Sequence, residues 1–587
     1  MRKQILALSL LAASAFMVTA CNGTPSSSSS ISSSITSQVS TFSYDVSITG
    51  EGIVTAYKNG ETITEDNFAS KVQVGDSITL VVTPSKGYET TSVSLNGEYI
   101  IRSNGTYTFT AVEGNNNISV VFSLIETNSK DFTFSIENGQ AIITGYQCST
   151  IEIPSPVVIP DTVVSEGITY NVTGIADYAF SNLEVTSLKL GKNISSVTSL
   201  AFANMTYFTE FEVDEENQTF FAEDGLLYSK NNELVRVPLN YQNKTLTIKE
   251  GITSLADYSV SNVLSIEKVV LPSSLKTIGN YTFYYDQWLR ECNLPSGVES
   301  IGEFAFRNCQ ELETIDLGTS LTSIGDGAFY TSGITTITFP SSLKTISEYC
   351  FYYCKSLKSV TFNEGLETIE EQAFISTPLV SVTLPNSLRY LKGHVFETCS
   401  SLTQVKMNDG LLEIGDLCFS RSYSLTSIEI PSSVTTIGIN PFSGITRLGY
   451  EDGSFTIRGE SQYFEIIDGV LFSKGDNRSL ICYPIGKIEE EYVIPDGVKT
   501  LAQDAFIYQR SVATVTIPVS VTDINEAFVS MYTDVTDGQK HTLSIVYLGT
   551  SAQFRQINFH GSNGEWHTGT TLTNGSVTCS DGSIIVA

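Results

Sequence analysis

Cys350 and Cys354 stand four residues apart in "EYCFYYCKSLKSV" (348–360), a spacing at which two thiols can pair with each other or supply part of a metal site. Zinc sites built on thiolates usually recruit histidine. The chain has ten cysteines but only four histidines, and His394 alone falls among the stretches that hold most of those cysteines. A second grouping of ligand types is His560 and His567 flanking Trp566, with Cys579 downstream; the alternative for it is a set of surface residues. "DVTDGQKH" (534–541) resembles part of a calcium loop but lacks the alternating oxygen ligands and the closing Glu, so a turn is expected there. No GxSxG elbow, P-loop or HExxH occurs, nor a GxGxxG between a strand and a helix. No catalytic residue, metal site or cofactor is expected.

What places the cysteines is a repeat. Phenylalanines fall at Phe283, Phe306, Phe329, Phe351, Phe374, Phe396, Phe419 and Phe442, in steps of 22 or 23. Around them recur "LPSGVESIGEFAFRNCQELETIDL" (294–317), "FPSSLKTISEYCFYYCKSLKSVTF" (339–362) and "IPSSVTTIGINPFSGITRL" (430–448). Further units anchored at Phe180, Phe202, Val260, Phe506 and Phe528 bring the total to thirteen. Such a unit gives a short strand and a return segment, and cannot bury its apolar face alone. Cys309, Cys354 and Cys399 each sit three residues after the anchor, where alternate units carry Ser332, Thr377 and Ser422. Cys350 and Cys418 sit just before it, where others have Ala305, Ala328 and Ala373. Small size is the shared property, so a packed column of small side chains is expected. Cysteines two repeats apart are separated by roughly 10 Å at sheet spacing, too far for a disulfide. Cys350 with Cys354, inside one unit, is the remaining alternative pair.

The unit "IGxxAFxxCxxLxxIxLP" resembles the BspA-type leucine-rich repeats of bacterial surface proteins, from residue 130 to 587. "EDGLLYSKNNELVRVP" (223–238) and "IDGVLFSKGDNRSLICYP" (467–484) align with each other and resemble that family's hairpin insertion. "FTFSIENGQAIITGY" (132–146) resembles its N-terminal cap and "VYLGTSAQFRQINF" (546–559) its closing strands, with Phe554 where the family would have Trp. The expected fold is a mostly β leucine-rich repeat solenoid, with one short parallel strand per 22–23-residue unit, preceded by a small all-β module.

That module is residues 44–125, where apolar and polar residues alternate between turns at Gly75-Asp76, Ser85-Lys86-Gly87 and Asn96-Gly97. Its motifs resemble the internalin-type B repeats of bacterial surface proteins, which implies a spacer or weak contact surface. Ahead of it, Met1-Arg2-Lys3 and the apolar stretch from Ile5 to Val18 form an export signal too short to span a membrane. "VTAC" (18–21) resembles the bacterial lipobox, which implies that Cys21 is lipidated; two acyl chains or more anchor stably where one does not. The expected organisation is therefore signal peptide 1–20, lipidated cysteine and serine-rich tether 21–43, β module 44–125, N-terminal cap 126–170, solenoid 171–545 with hairpins near 208–250 and 450–494, and C-terminal cap 546–587. Export makes disulfides chemically open.

Lys and Arg number 33 against 63 Asp and Glu, a net charge of −30, which argues against a nucleic-acid partner. With 41% hydrophobic and 16% charged residues, the chain is folded over most of its length. Its regular surface is the outward side of the strands: Thr314/Asp316, Thr336/Thr338, Ser359/Thr361, Ser381/Thr383, Gln404/Lys406 and Ser427/Glu429 form two ladders rich in hydroxyls. Threonine favours strands whatever the function. As a function, the ladders suit many weak contacts to a protein or glycan on another cell or matrix, with the membrane reached through Cys21. The tyrosine-bearing loops near Tyr352, Tyr353 and Tyr423 are a second candidate surface. The resemblance implies an adhesin displayed on the bacterial cell surface. The alternatives are a cell-envelope glycan-capturing protein or enzyme, or a structural surface-layer component; ice binding is disfavoured because Gln404/Lys406 interrupts the threonine array.

Overall fold

The structure is a computed structural model; it describes residues 42–85, 88–124, 128–148, 154–450, 453–509, 511–528, 543–560 and 576–586. Cys21, the tether, the Lys86-Gly87 turn, the 534–541 stretch, Trp566 and His567 lie outside the described residues. Among those described, no helix is long and apolar enough to cross a membrane.

One compact unit holds Ser43–Thr49, Ile53–Thr83 and Thr90–Val121. Its strands alternate as the sequence does: in Ser77–Pro84, Ile78, Leu80 and Val82 are buried between exposed or half-exposed neighbours. The unit is mostly β, with one element that a period of two does not announce, the helix Glu65–Lys71. Its start is marked by chemistry of a different kind. The Thr64 N–H donates to the Asn67 side chain at 2.9 Å, Glu65 and Asp66 occupy the first turn and Lys71 the last, a charge order that suits the helix dipole. Phe68 is buried, its ring 4.9 Å from that of Tyr44.

The second unit, from Phe122 onward, is the repeat array, and it is a mostly β solenoid of short strands. The expected strand is present, as in Thr336–Thr338 and Ser359–Thr361, which pair in parallel with Thr336 opposite Ser359. Each unit adds a second, shorter strand. Thr345–Ile346, Thr368–Ile369, Tyr390–Leu391, Glu413–Ile414 and Thr436–Ile437 form one parallel sheet of their own.

Between its two strands and the next unit the chain turns around the anchor phenylalanine. From Phe283 to Phe442 the rings stack in one column, with centroids 5.0 to 6.1 Å apart and all essentially inaccessible to solvent. Rings at this offset attract beyond the area they bury. The residues two before and two after the anchor take a left-handed backbone: Tyr281 (φ 54°) and Tyr285 (φ 63°) around Phe283, Tyr349 (φ 55°) and Tyr353 (φ 57°) around Phe351. This alternation of hand turns every second N–H toward the following unit. Tyr349 donates to the Glu371 carbonyl at 3.1 Å, Phe351 to Ala373 at 2.7 Å and Tyr353 to Ile375 at 3.0 Å. The backbone thus locks each turn to the next where no strand exists.

The two longer units carry antiparallel hairpins, Phe220–Glu223 with Leu226–Ser229 and Phe464–Ile467 with Val470–Ser473. Each hairpin hands over to a third strand, Glu233–Arg236 or Ser479–Cys482, that pairs in parallel with the short strand of the next unit, Ser254–Leu255 or Thr500–Leu501. The residue ending each unit takes the anchor's place. The Val237 N–H donates to Ser259 at 2.7 Å and Tyr483 to Ala505 at 2.8 Å, and the Tyr483 ring stacks 5.1 Å from Phe506. Both stand 23 residues before the next anchor, Val260 or Phe506. Three apolar clusters fill the interior, over Phe132–Leu227, Leu226–Cys482 and Val470–Cys579.

Candidate functional site

The cysteines come first, because their spacing suggested chemistry. Cys309, Cys354 and Cys399 are buried and free, and each thiol donates to the carbonyl of the phenylalanine one unit earlier: Phe283 at 3.2 Å, Phe329 at 3.0 Å and Phe374 at 3.2 Å. Ser422 does the same to Phe396 at 2.8 Å, while Thr377 bonds the Phe374 carbonyl at 2.8 Å and lies 3.3 Å from the Cys399 sulfur. From the unit of Phe306 to that of Phe419 the slot after the anchor therefore holds a small donor, a condition narrower than small size; Val263 and Ile445 fill it in the units of Val260 and Phe442. Cys350 and Cys418 fill the slot before the anchor, also buried and free. Burial pushes Cys354 up to about 12 and Cys399 up to about 11, which keeps these thiols protonated and poor nucleophiles. Among the described residues no group of three His, Cys, Asp or Glu is arranged to hold a metal ion. His560 is exposed and meets Asp523 at 3.3 Å, and His394 pairs with Glu397 at 2.7 Å.

All twelve ladder residues are exposed. Thr336/Thr338, Ser359/Thr361, Ser381/Thr383 and Gln404/Lys406 lie on short strands whose central residues turn inward. Within pairs of neighbouring strands the register is direct, Thr338 opposite Thr361 and Thr383 opposite Lys406. Glu429 lies on Ile428–Pro431 with Ser427 just before it, and Thr314/Asp316 lies in backbone that forms no strand. Two members are engaged: Asp316 accepts from the Gly318 N–H at 2.9 Å, and Glu429 meets the Arg458 guanidinium at 3.0 Å. Arg458, which sequence reading overlooked, reaches from the neighbouring strand and also pairs with Asp409 at 2.8 Å. Only its position opposite Pro431 in the next strand brings it there, and no motif marks it.

The hydroxyls of Thr336, Thr338, Ser359, Thr361, Ser381 and Thr383 have no intramolecular hydrogen-bond partner among the described residues. One residue before the ladder the pattern reverses, since Thr335 donates to Glu313 at 3.1 Å and Thr403 to Val380 at 3.0 Å. Over the unbonded hydroxyls lies a polar groove of about 700 Å³, lined by Ser359, Thr361, Ser381, Thr383, Lys406 and Arg458 among others.

The profile of the BspA type leucine rich repeat region (6 copies) matches residues 163–238, 239–332, 277–402, 322–449 and 486–551, together more than half of the chain. The chain belongs to the BspA-type leucine-rich repeat family. Solved structures similar to it include a leucine-rich repeat protein from Bacteroides ovatus, 22% identical, covering 68% of this chain and 95% of that one with a TM-score of 0.38. Another, from Eubacterium ventriosum, is 22% identical over 51% of this chain and 66% of that one, TM-score 0.31. A leucine rich cell surface protein from Faecalibacterium prausnitzii is 19% identical over 74% and 98%, TM-score 0.21. No curated protein matches the chain.

Proposed function

We propose that this BspA-type chain is a lipid-anchored, surface-displayed binding protein that attaches to protein or glycan ligands on other cells or matrix through its strand ladder. The observation that carries this reading is the ladder's set of exposed hydroxyls without intramolecular partners, beside others one residue away that are used internally. A polar, unsatisfied, regularly spaced face makes many weak contacts add up. The layout supports it: Cys21 as the lipid site, a serine-rich tether with a reach of roughly 25 Å, the B-repeat-like module as spacer, and the array beyond.

The test replaces Thr336, Thr338, Ser359, Thr361, Ser381 and Thr383 together by Lys and Glu. Thermal stability should hold, and binding to an immobilised panel of matrix proteins and glycans should disappear; undiminished attachment excludes the ladder. The groove beside Lys406 and Arg458 favours one further reading, glycan capture with or without turnover. Release of reducing ends from any glycan of the panel would select it. The anchor has its own assay. Cys21→Ala should move the protein from the detergent phase to the aqueous phase, and unchanged partitioning removes the lipoprotein assignment.

A further inference from the structure

The left-handed positions around the anchors are filled by residues of many kinds, Asn262, Asn308 and Gly327 but also Gln372, Leu417 and Arg421. In the units from Val260 to Phe351 several hold aromatic residues instead: Tyr258 (φ 59°), Tyr281 (φ 54°), Phe304 (φ 50°) and Tyr349 (φ 55°). A bulky side chain is disfavoured at such φ; the turn imposes that φ along the array, and what sets this stretch apart is its rings. Three of these rings form a column, Tyr258 on Tyr281 at 4.7 Å and Tyr281 on Phe304 at 5.3 Å, and Gly327 separates Phe304 from Tyr349. A second column runs beside it in the position after the anchor, with Tyr284, Arg307, Tyr330 and Tyr352, in which Tyr330 stacks on Tyr352 at 4.8 Å. All eight side chains are half-buried. Toward the C-terminus the ribbon ends, with Gln372, Ile375, His394 and Glu397 in the same positions; toward the N-terminus the first-column position next holds an aromatic at Tyr178, in the unit of Phe180.

Arg307 shows what the ribbon accepts. Its guanidinium lies 4.6 Å from the Tyr330 ring centroid and 5.7 Å from that of Tyr284, sandwiched between them, and it makes no ion pair among the described residues. Along the same edge, one residue before the first column, run Glu303, Asp326, Glu348 and Glu371. None of the four has an ion-pair partner among the described residues, and the Glu348 carboxyl is raised, by desolvation first and then by the charges of Asp326, Glu371 and Glu370. Ring faces that seat a guanidinium beside unpaired carboxylates define a complementary partner.

We propose that this aromatic and acidic ribbon is a docking surface for an extended, arginine-rich polypeptide segment. From Tyr258 to Tyr349 the ribbon spans four repeat steps, roughly 19 Å at sheet spacing, which matches an extended segment of about six residues. The site is separate from the strand ladder and does not rest on it.

Fluorescence anisotropy of the full chain with a labelled peptide of alternating arginine and serine, about ten residues long, tests the proposal. Saturable binding that weakens as salt rises from roughly 50 to 500 mM is expected. Tyr258→Asn, Tyr281→Asn and Tyr349→Asn together should weaken it by about tenfold or more, with a melting temperature equal to or above that of the native chain, because asparagine accepts the left-handed backbone. Glu303→Gln, Asp326→Asn and Glu348→Gln together should flatten the salt dependence, and this variant decides the matter should the tyrosine variant unfold. The ladder variant should bind the peptide as the native chain does. Absence of saturable binding, full affinity in either ribbon variant, equal binding of a glutamate–serine peptide, or preferential binding of cellohexaose overturns the proposal.

Discussion

At the scale of single residues, the slot three positions after each anchor decides more than its volume suggests. Cys354→Ser keeps a small donor for the Phe329 carbonyl and should cost less than Cys354→Val, which leaves that carbonyl only the Ser332 N–H at 3.0 Å and should cost about 0.5–1.5 kcal/mol more. Urea denaturation distinguishes the two; equal losses would return the slot to a matter of size alone. In the unit of Phe283 this slot holds Asp286, fully buried, one oxygen accepting the Val263 N–H at 2.8 Å and the other without a partner. Burial raises its carboxyl well above the ordinary range, against the weaker opposing pull of that N–H and of the Arg236 charge. Since the folded pKa lies above the unfolded one, the stability Asp286 contributes is complete below about pH 4 and is lost as pH rises through the folded value. The melting temperature of the native chain should therefore fall from pH 4 upward relative to Asp286→Asn; parallel curves would show the carboxyl ionised in the fold. Asp286 was legible as a break in the Cys/Ser/Thr series, but the need for a donor was not, because it lies in a backbone carbonyl of another repeat.

At the scale of elements, the phenylalanine column and the bonds beside it make each turn depend on its neighbours. Phe351→Ala or Phe374→Ala removes a ring that stacks at 5.3 Å on the other and should cost about 3–5 kcal/mol, with amide exchange rising in adjoining repeats before distant ones. Uniform exchange over the whole array would contradict that local coupling. The anchors and their period were plain in the sequence because large apolar residues at one spacing have no other use. The second strand of each unit was not, since two residues such as Thr345–Ile346 are too few to show alternation. The helix Glu65–Lys71 was hidden for a related reason, one buried residue, Phe68, giving no helical period. Val237 and Tyr483 keep the 23-residue step only toward the following anchor; the hairpins put them 35 residues after Phe202 and 41 after Phe442, which hid them from the period.

At the scale of the whole molecule, the three apolar clusters divide at the two hairpins, near Leu226–Leu227 and Val470–Cys482. Phe351→Ala should accordingly leave the exchange protection of the cluster around Phe506 unchanged, and a simultaneous loss there would show that the hairpins transmit unfolding. The bonds that join one turn to the next have a further consequence for an array under tension. Tyr349, Phe351 and Tyr353 donate to successive carbonyls of the following unit, so these bonds point along the direction of stacking. A pull in that direction loads the joints one after another, in series, as a zipper is opened, and not all at once as in shear. Each turn that peels away releases 22 or 23 residues, lengthening the chain by roughly 70 Å. Pulled from its two ends, such an array should yield in small steps at low force, and an optical trap should record that yielding as a regular sawtooth.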